Sequence, residues 1–132
     1  MPRDPLATLA KLRRLEVGTA QRQLAEARGT LAAREAAAEA HETALRSEQP
    51  AEAPATYGAF LARGLETRQA LAAATHRAEA AVDAGQEALA LARGAEKLIE
   101  ILRDRRAAAA RRDASRRAQA RLDEAAQRIR DR

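Results

Sequence analysis

Cysteine and tryptophan are absent from the 132 residues, and phenylalanine, tyrosine and methionine occur once each. Without cysteine there is neither a disulfide framework nor a thiolate metal site, which fits a reducing compartment. Two aromatic rings cannot build a platform for stacking bases. No stretch approaches the ~20 apolar residues of a membrane span. The opening, MPRDPLATLAKLRRL, has no apolar run of signal-peptide length. The expectation is a soluble cytosolic protein. Motifs that carry chemistry are missing as well: there is no HExxH, CxxC, GxxxxGK[ST] or GxSxG. His41 and His76 are the only histidines and read as ordinary helix-surface or seam positions. Asp123 and Glu124 are neighbours on a helix and point in different directions, so they do not form a carboxylate pair. The sequence therefore predicts no catalytic residue, no metal, no cofactor and no small-molecule substrate; it is not that of an enzyme.

What is present is alanine, arginine, leucine and glutamate, the composition of long helices and coiled coils. The large aliphatics amount to 15 Leu, three Ile and two Val. That is too few for a compact globule of this length and enough for the narrow seam of an elongated hairpin. Four prolines and six glycines leave long stretches unbroken. The whole of 1–132 reads as one domain.

The stretch that organises the chain is its last third, Glu96 to Arg132, which has no Pro and no Gly. Ile101, Ala108, Ser115, Leu122 and Ile129 recur at seven-residue intervals, with Ala118 and Ala125 between them. This is the spacing of a coiled-coil seam on one thin stripe. Lys97 to Arg132 also carries 12 basic and 6 acidic residues, a net of +6, out of a formal +5 for the whole chain. The excess positive charge thus lies on the final helix.

Taken in order, Asp4 is placed to cap a helix with Pro5 in its first turn. Leu6, Leu9 and Leu12 begin an apolar face, continued by Val17, Leu24, Leu31, Ala38 and Leu45 with Ala20 and Ala27 between them. Arg34 and His41 make the seam wetter further on. The first helix is expected over about 5–46. Pro50 and Pro54 interrupt helix within the loop 47–56, and Thr56 is placed to cap the second helix, expected over about 56–132. Its seam runs through Tyr57, Leu61, Leu71, Ala78, Val82, Leu89, Ala92 and Ile99. So short a link implies antiparallel neighbours. The expected fold is all-α: a long antiparallel two-helix coiled-coil hairpin with an overhanging basic C-terminal helix. Folding about the loop sets Leu9 near Arg93, so that the chain beyond about Leu98 projects past the first helix.

A basic helix attracts acidic partners, whether protein, nucleic acid or anionic lipid. Nucleic acid is disfavoured, because no aromatics interleave the arginine pairs at 105–106, 111–112 and 116–117, and Asp104, Asp113, Asp123 and Asp131 are interspersed. A solvated face and a protein-binding face both remain. Tyr57, Phe60 and Leu61 read either as a plug closing the hairpin's distal end or as an anchor for a partner.

With these residues assembled, the chain resembles the FliJ family of the bacterial flagellar type III export apparatus. LATLAKLRRLEVGTAQRQLAEA is similar to that family's opening helix. Tyr57-x-x-Phe60-Leu61 resembles its aromatic step after the loop. Leu122-Asp123-Glu124-Ala125-Ala126-Gln127-Arg128 resembles its closing apolar-Asp-Glu step. The resemblance implies an antiparallel coiled coil like a rotary-ATPase stalk, which binds and promotes the hexameric export ATPase. It implies contacts with the cytoplasmic domain of the export-gate protein FlhA and with export chaperones, and hence a peripheral place at the inner membrane. The ATPase-binding residues it implies are Arg112, Arg116, Arg117, Leu122, Asp123, Glu124 and Ile129. Those for the gate are Tyr57, Phe60, Leu61 and Leu71, with Gly64 and Thr67 where the family can have Leu and Ala. The alternatives are the equivalent stalk of an injectisome and a generic coiled-coil scaffold.

Overall fold

A computed structural model describes residues 3–48 and 54–132. Two helices account for them: α1 over Pro5–Ser47 and α2 over Pro54–Arg130. The protein is an all-α helical hairpin, with no strand among the described residues. Pro50 and the rest of 49–53 lie outside the described residues.

The start of α1 is built as its sequence suggests. Asp4 Oδ1 accepts from the Leu6 amide at 3.1 Å, and the Asp4 carbonyl accepts from the Thr8 amide at 3.2 Å. Asp4 is therefore the N-cap, with Pro5 in the first position, where its missing N–H costs nothing. α2 likewise opens on a proline, Pro54, so Thr56, expected as its cap, lies inside the helix. It runs on as helix through Gly58, Gly64, Gly85 and Gly94, none of which takes a positive φ.

The contacts fall into two units. One joins Met1–Leu15 to Arg93–Arg132; the other is Glu16–Ala92. In the second unit Val17, Ala20 and Leu24 of α1 and Ala78 and Val82 of α2 are buried. Leu31, Ala38 and Leu45 continue the seam half-buried. Close approach comes from glycine. A Cβ on Gly85 would lie 3.2 Å from Leu24 Cδ1 and 3.5 Å from Leu24 Cα. Gly64 is buried beneath Leu45, and its carbonyl pairs with His41 Nε2 at 2.8 Å. His41 thus faces the seam and satisfies its ring nitrogen on backbone.

In the first unit Ala10 and Ile99 are buried, and Asp4 Oδ1 accepts from Arg106 Nη1 at 2.9 Å. Two expectations change here. Leu9 and Leu12 were placed in the seam, yet both are exposed. The seven-residue step back from Val17 lands on Ala10, which leaves Leu9 to one side of it and Leu12 on the outer face. The reach of α1 also extends past Leu98, since Asp4 lies against Arg106. What ends the apolar seam is the sequence of α2: the positions four and seven residues after Ile99 are Arg103 and Arg106, which cannot be buried without partners. From Ala109 to Arg132 every residue is exposed.

Leu24, only 4% exposed, is the best-buried large side chain, so Leu24→Ala should cost about 2–4 kcal/mol. At Gly29 and Gly94 a Cβ would meet nothing within 4 Å. Alanine at either should stabilise by about 0.5–1 kcal/mol. Gly85→Ala should gain less than either, because Leu24 stands in the way. Urea unfolding followed by far-ultraviolet circular dichroism checks all four.

Candidate partner-binding surfaces

The terminal stretch of α2 is the first candidate. Its apolar stripe does not continue the seam. Ile101 follows Ile99 by two residues, about 200° round an α-helix, and is 38% exposed where Ile99 is 8% exposed. Leu122 and Ile129, seven residues apart on that stripe, are 65% and 76% exposed. The stripe thus lies on the far side of α2 from its buried contacts, so it is not a seam between α1 and α2. The same chain length carries Arg111, Arg112, Arg116, Arg117, Arg121, Arg128, Arg130 and Arg132, all exposed, against four acids.

The seven residues proposed for this surface fall on three faces of the helix. Leu122 and Ile129 share the far face. Arg112 and Arg116 are one turn apart on a second, with Asp123 seven residues beyond Arg116. Arg117 and Glu124 are also seven apart, on the side that carries the seam further up. Asp123 Oδ1 accepts a hydrogen bond from Gln119 Nε2 at 3.0 Å, which holds the carboxylate against its own helix. A partner touching all seven would therefore wrap around α2, as an enclosing ring does and a flat surface does not.

The second candidate is the aromatic step. The Tyr57 and Phe60 rings stack with centroids 6.3 Å apart and planes at 30°. Both rings are half-buried, Leu61 is exposed and Leu71 is half-buried. Leu71 lines a groove of about 230 Å³ with Ala38, Glu39, Glu42, Arg68 and Ala72. Across that groove Arg68 donates to both oxygens of Glu42, with Nη2 to Oε2 at 2.9 Å. The guanidinium holds the Glu42 carboxyl below its ordinary range, chiefly through these hydrogen bonds. Tyr57 and Phe60 lie at one end of this face and Leu71 at the other, with the buried Gly64 between.

A third surface escaped the sequence reading: Leu9, Leu12, Leu98 and Leu102 are all exposed within the first unit. The signal was there in Ala10, whose spacing from Val17 already excludes Leu9 and Leu12 from the seam. No helix is long and apolar enough to cross a membrane. Among the described residues no cluster of His, Asp or Glu could hold a metal ion.

The sequence matches the family model described as Flagellar FliJ protein over residues 2–132. The chain belongs to the FliJ family. As a FliJ-family member it is a flagellar export-related protein. Searches of curated proteins and of solved structures return no match.

The Glu42–Arg68 pair gives this face a pH dependence. A lowered carboxylate titration contributes stability that is present above the ordinary value of 4.5 and is lost as pH falls through the lowered one. Glu42→Gln should thus be less stable than the parent protein at neutral pH, and the gap should close under more acidic conditions. Urea midpoints measured across an acid series would refute this if the gap stayed constant.

Proposed function

We propose that the protein is a stalk-like, non-enzymatic component of the flagellar export apparatus that inserts the free end of α2 into the export ATPase ring and promotes its activity. The observation that carries this is the exposure of every residue from Ala109 to Arg132, in a helix that is basic on several faces and bears a separate apolar stripe. A ring can contact all those faces at once. Arg112, Arg116 and Arg117 meet acidic groups of the ring. Leu122 and Ile129 supply the apolar contact, and Asp123 and Glu124 set register against basic groups. The description of the family as flagellar favours this machine over an injectisome.

The aromatic step serves a second contact, with the cytoplasmic domain of the export gate, through Tyr57, Phe60, Leu61 and Leu71. Export chaperones are further partners on this reading, and the association with the inner membrane is peripheral, through the gate. Nucleic acid is not a partner.

Rim charges govern association rate and salt dependence, whereas desolvated apolar anchors govern dissociation. Arg116→Glu with Arg117→Glu should slow association with the ATPase several-fold and flatten its salt dependence. Leu122→Ala should instead speed dissociation by about tenfold, the effect of ~1.4 kcal/mol. Phe60→Ala should weaken gate binding and leave ATPase binding intact. Biolayer interferometry against each partner separates these outcomes. Full ATPase stimulation by a chain truncated at Arg116 would rule out the terminal helix as the active element, and equal loss of DNA binding in the charge-reversed protein would point to nucleic acid.

A further inference from the structure

The structure points to a helix-docking groove on the first unit, separate from the terminal stripe. Leu9, Leu98 and Leu102 line it, and Leu12 stands at its outer rim. With the seam of α1 fixed by Ala10, Leu9 lies to one side of it, and Leu12, about 200° round from Ala10, lies beyond Leu9 toward the outer face. With the seam of α2 fixed by Ile99, Leu98 and Leu102 lie to one side of that. In an antiparallel pair these are the same side of the two-helix unit. The opposite side is marked independently by a groove lined by Arg14, Glu100, Arg103, Asp104 and Ala107. Pairing of Asp4 with Arg106 sets Leu12 level with Leu98 and Leu9 level with Ile101, one residue before Leu102. One side of the unit is therefore leucine and the other charged. The leucines are 37%, 47%, 57% and 39% exposed at 9, 12, 98 and 102. Single exposed leucines are ordinary, but a contiguous group across two helices marks an interaction site.

We propose that this groove receives one amphipathic helix of a partner protein, apolar on its inner face and acidic on its flanks. Two parallel ridges a helix diameter apart present the groove into which a third helix packs. Charge selects its flanks. Residues 1–15 and 93–132 hold 17 basic and 8 acidic residues, a net of +9. On α2 the leucine side carries Ala95, Leu98, Leu102, Arg105, Ala109, Arg112 and Arg116, with Asp113 its one acidic residue, at the edge nearer the seam. An incoming helix thus meets leucine first and arginine beyond it. A second copy of this unit would bring another +9 against the first, which like-charge repulsion opposes. A lipid surface is disfavoured because the leucine side carries none of the aromatic residues that anchor interfacial helices.

The test uses the full chain and a labelled synthetic amphipathic peptide with leucine on one face and glutamate along both flanks. Fluorescence anisotropy should show saturable binding, at least tenfold weaker for the same peptide with lysine flanks. Leu9→Gln, Leu12→Gln, Leu98→Gln and Leu102→Gln together should weaken binding at least tenfold while helicity and unfolding midpoint hold. Arg105→Glu alone should weaken it several-fold and flatten its salt dependence, a readout that survives should the quadruple variant lose stability. Leu122→Gln with Ile129→Gln should change nothing, which separates this site from the proposed ATPase surface. The proposal is overturned by absence of saturable binding, by equal binding of both peptides, or by loss through the Leu122 and Ile129 changes. A dimer or anionic-vesicle binding abolished by the four glutamines would overturn it in favour of that occupant.

Discussion

A seam of small side chains is the constraint on which the rest of this protein depends. Ala10, Ala20 and Ala78 are buried with Val17, Leu24, Val82 and Ile99, and Gly64 and Gly85 let leucines of α1 settle against the backbone of α2. Small residues allow close approach but bury little area each, so stability accumulates along the length of the seam and not at a centre. Among the described residues the seam buries no charged side chain. Where Arg103 and Arg106 take its positions, apolar pairing ends and an ion pair with Asp4 replaces it.

That constraint divides the surfaces by chemistry. Because the seam uses alanine, most of the leucine and isoleucine in the first unit is left over. Leu9, Leu98 and Leu102 gather on one side with Leu12 at its outer rim, Ile101 starts a stripe on the outer face of α2, and Leu122 and Ile129 extend that stripe through the wholly exposed stretch. Large apolar side chains that the fold does not consume are then available to partners. The arginines follow the same logic: beyond Arg106 none of the described residues covers them, and they give α2 several basic faces at once.

The second unit is built differently. Its polar groups are matched within the chain, His41 on the Gly64 carbonyl and Glu42 on Arg68, and its aromatic pair is half-buried. A contact there would be made by residues that also serve the fold. Leu122 and Ile129 differ in that respect, since both are exposed.

Periodicity alone determined a great deal. Helix propensity and the absence of glycine and proline made the terminal helix certain, Asp4-Pro5 set where α1 begins, and the Val17–Leu24–Leu31–Ala38–Leu45 series lies on the face that packs. The family, too, was legible in the opening helix, the aromatic step and the Leu122-Asp123-Glu124 ending. Tertiary structure decided the remainder. A seven-residue repeat sets which face of a helix is apolar but not its axial offset against a neighbour, since a slide by whole repeats keeps the pattern. Packing of Leu24 on Gly85 and of Asp4 on Arg106 chose that offset and carried α1 beyond Leu98. Several apolar stripes also coexist in so alanine-rich a chain. Only the pairing of two helices could show that Ala10 is inside while Leu9 and Leu12 are outside, and that the Ile101 stripe faces away from the seam, because burial is a property of what lies opposite a side chain.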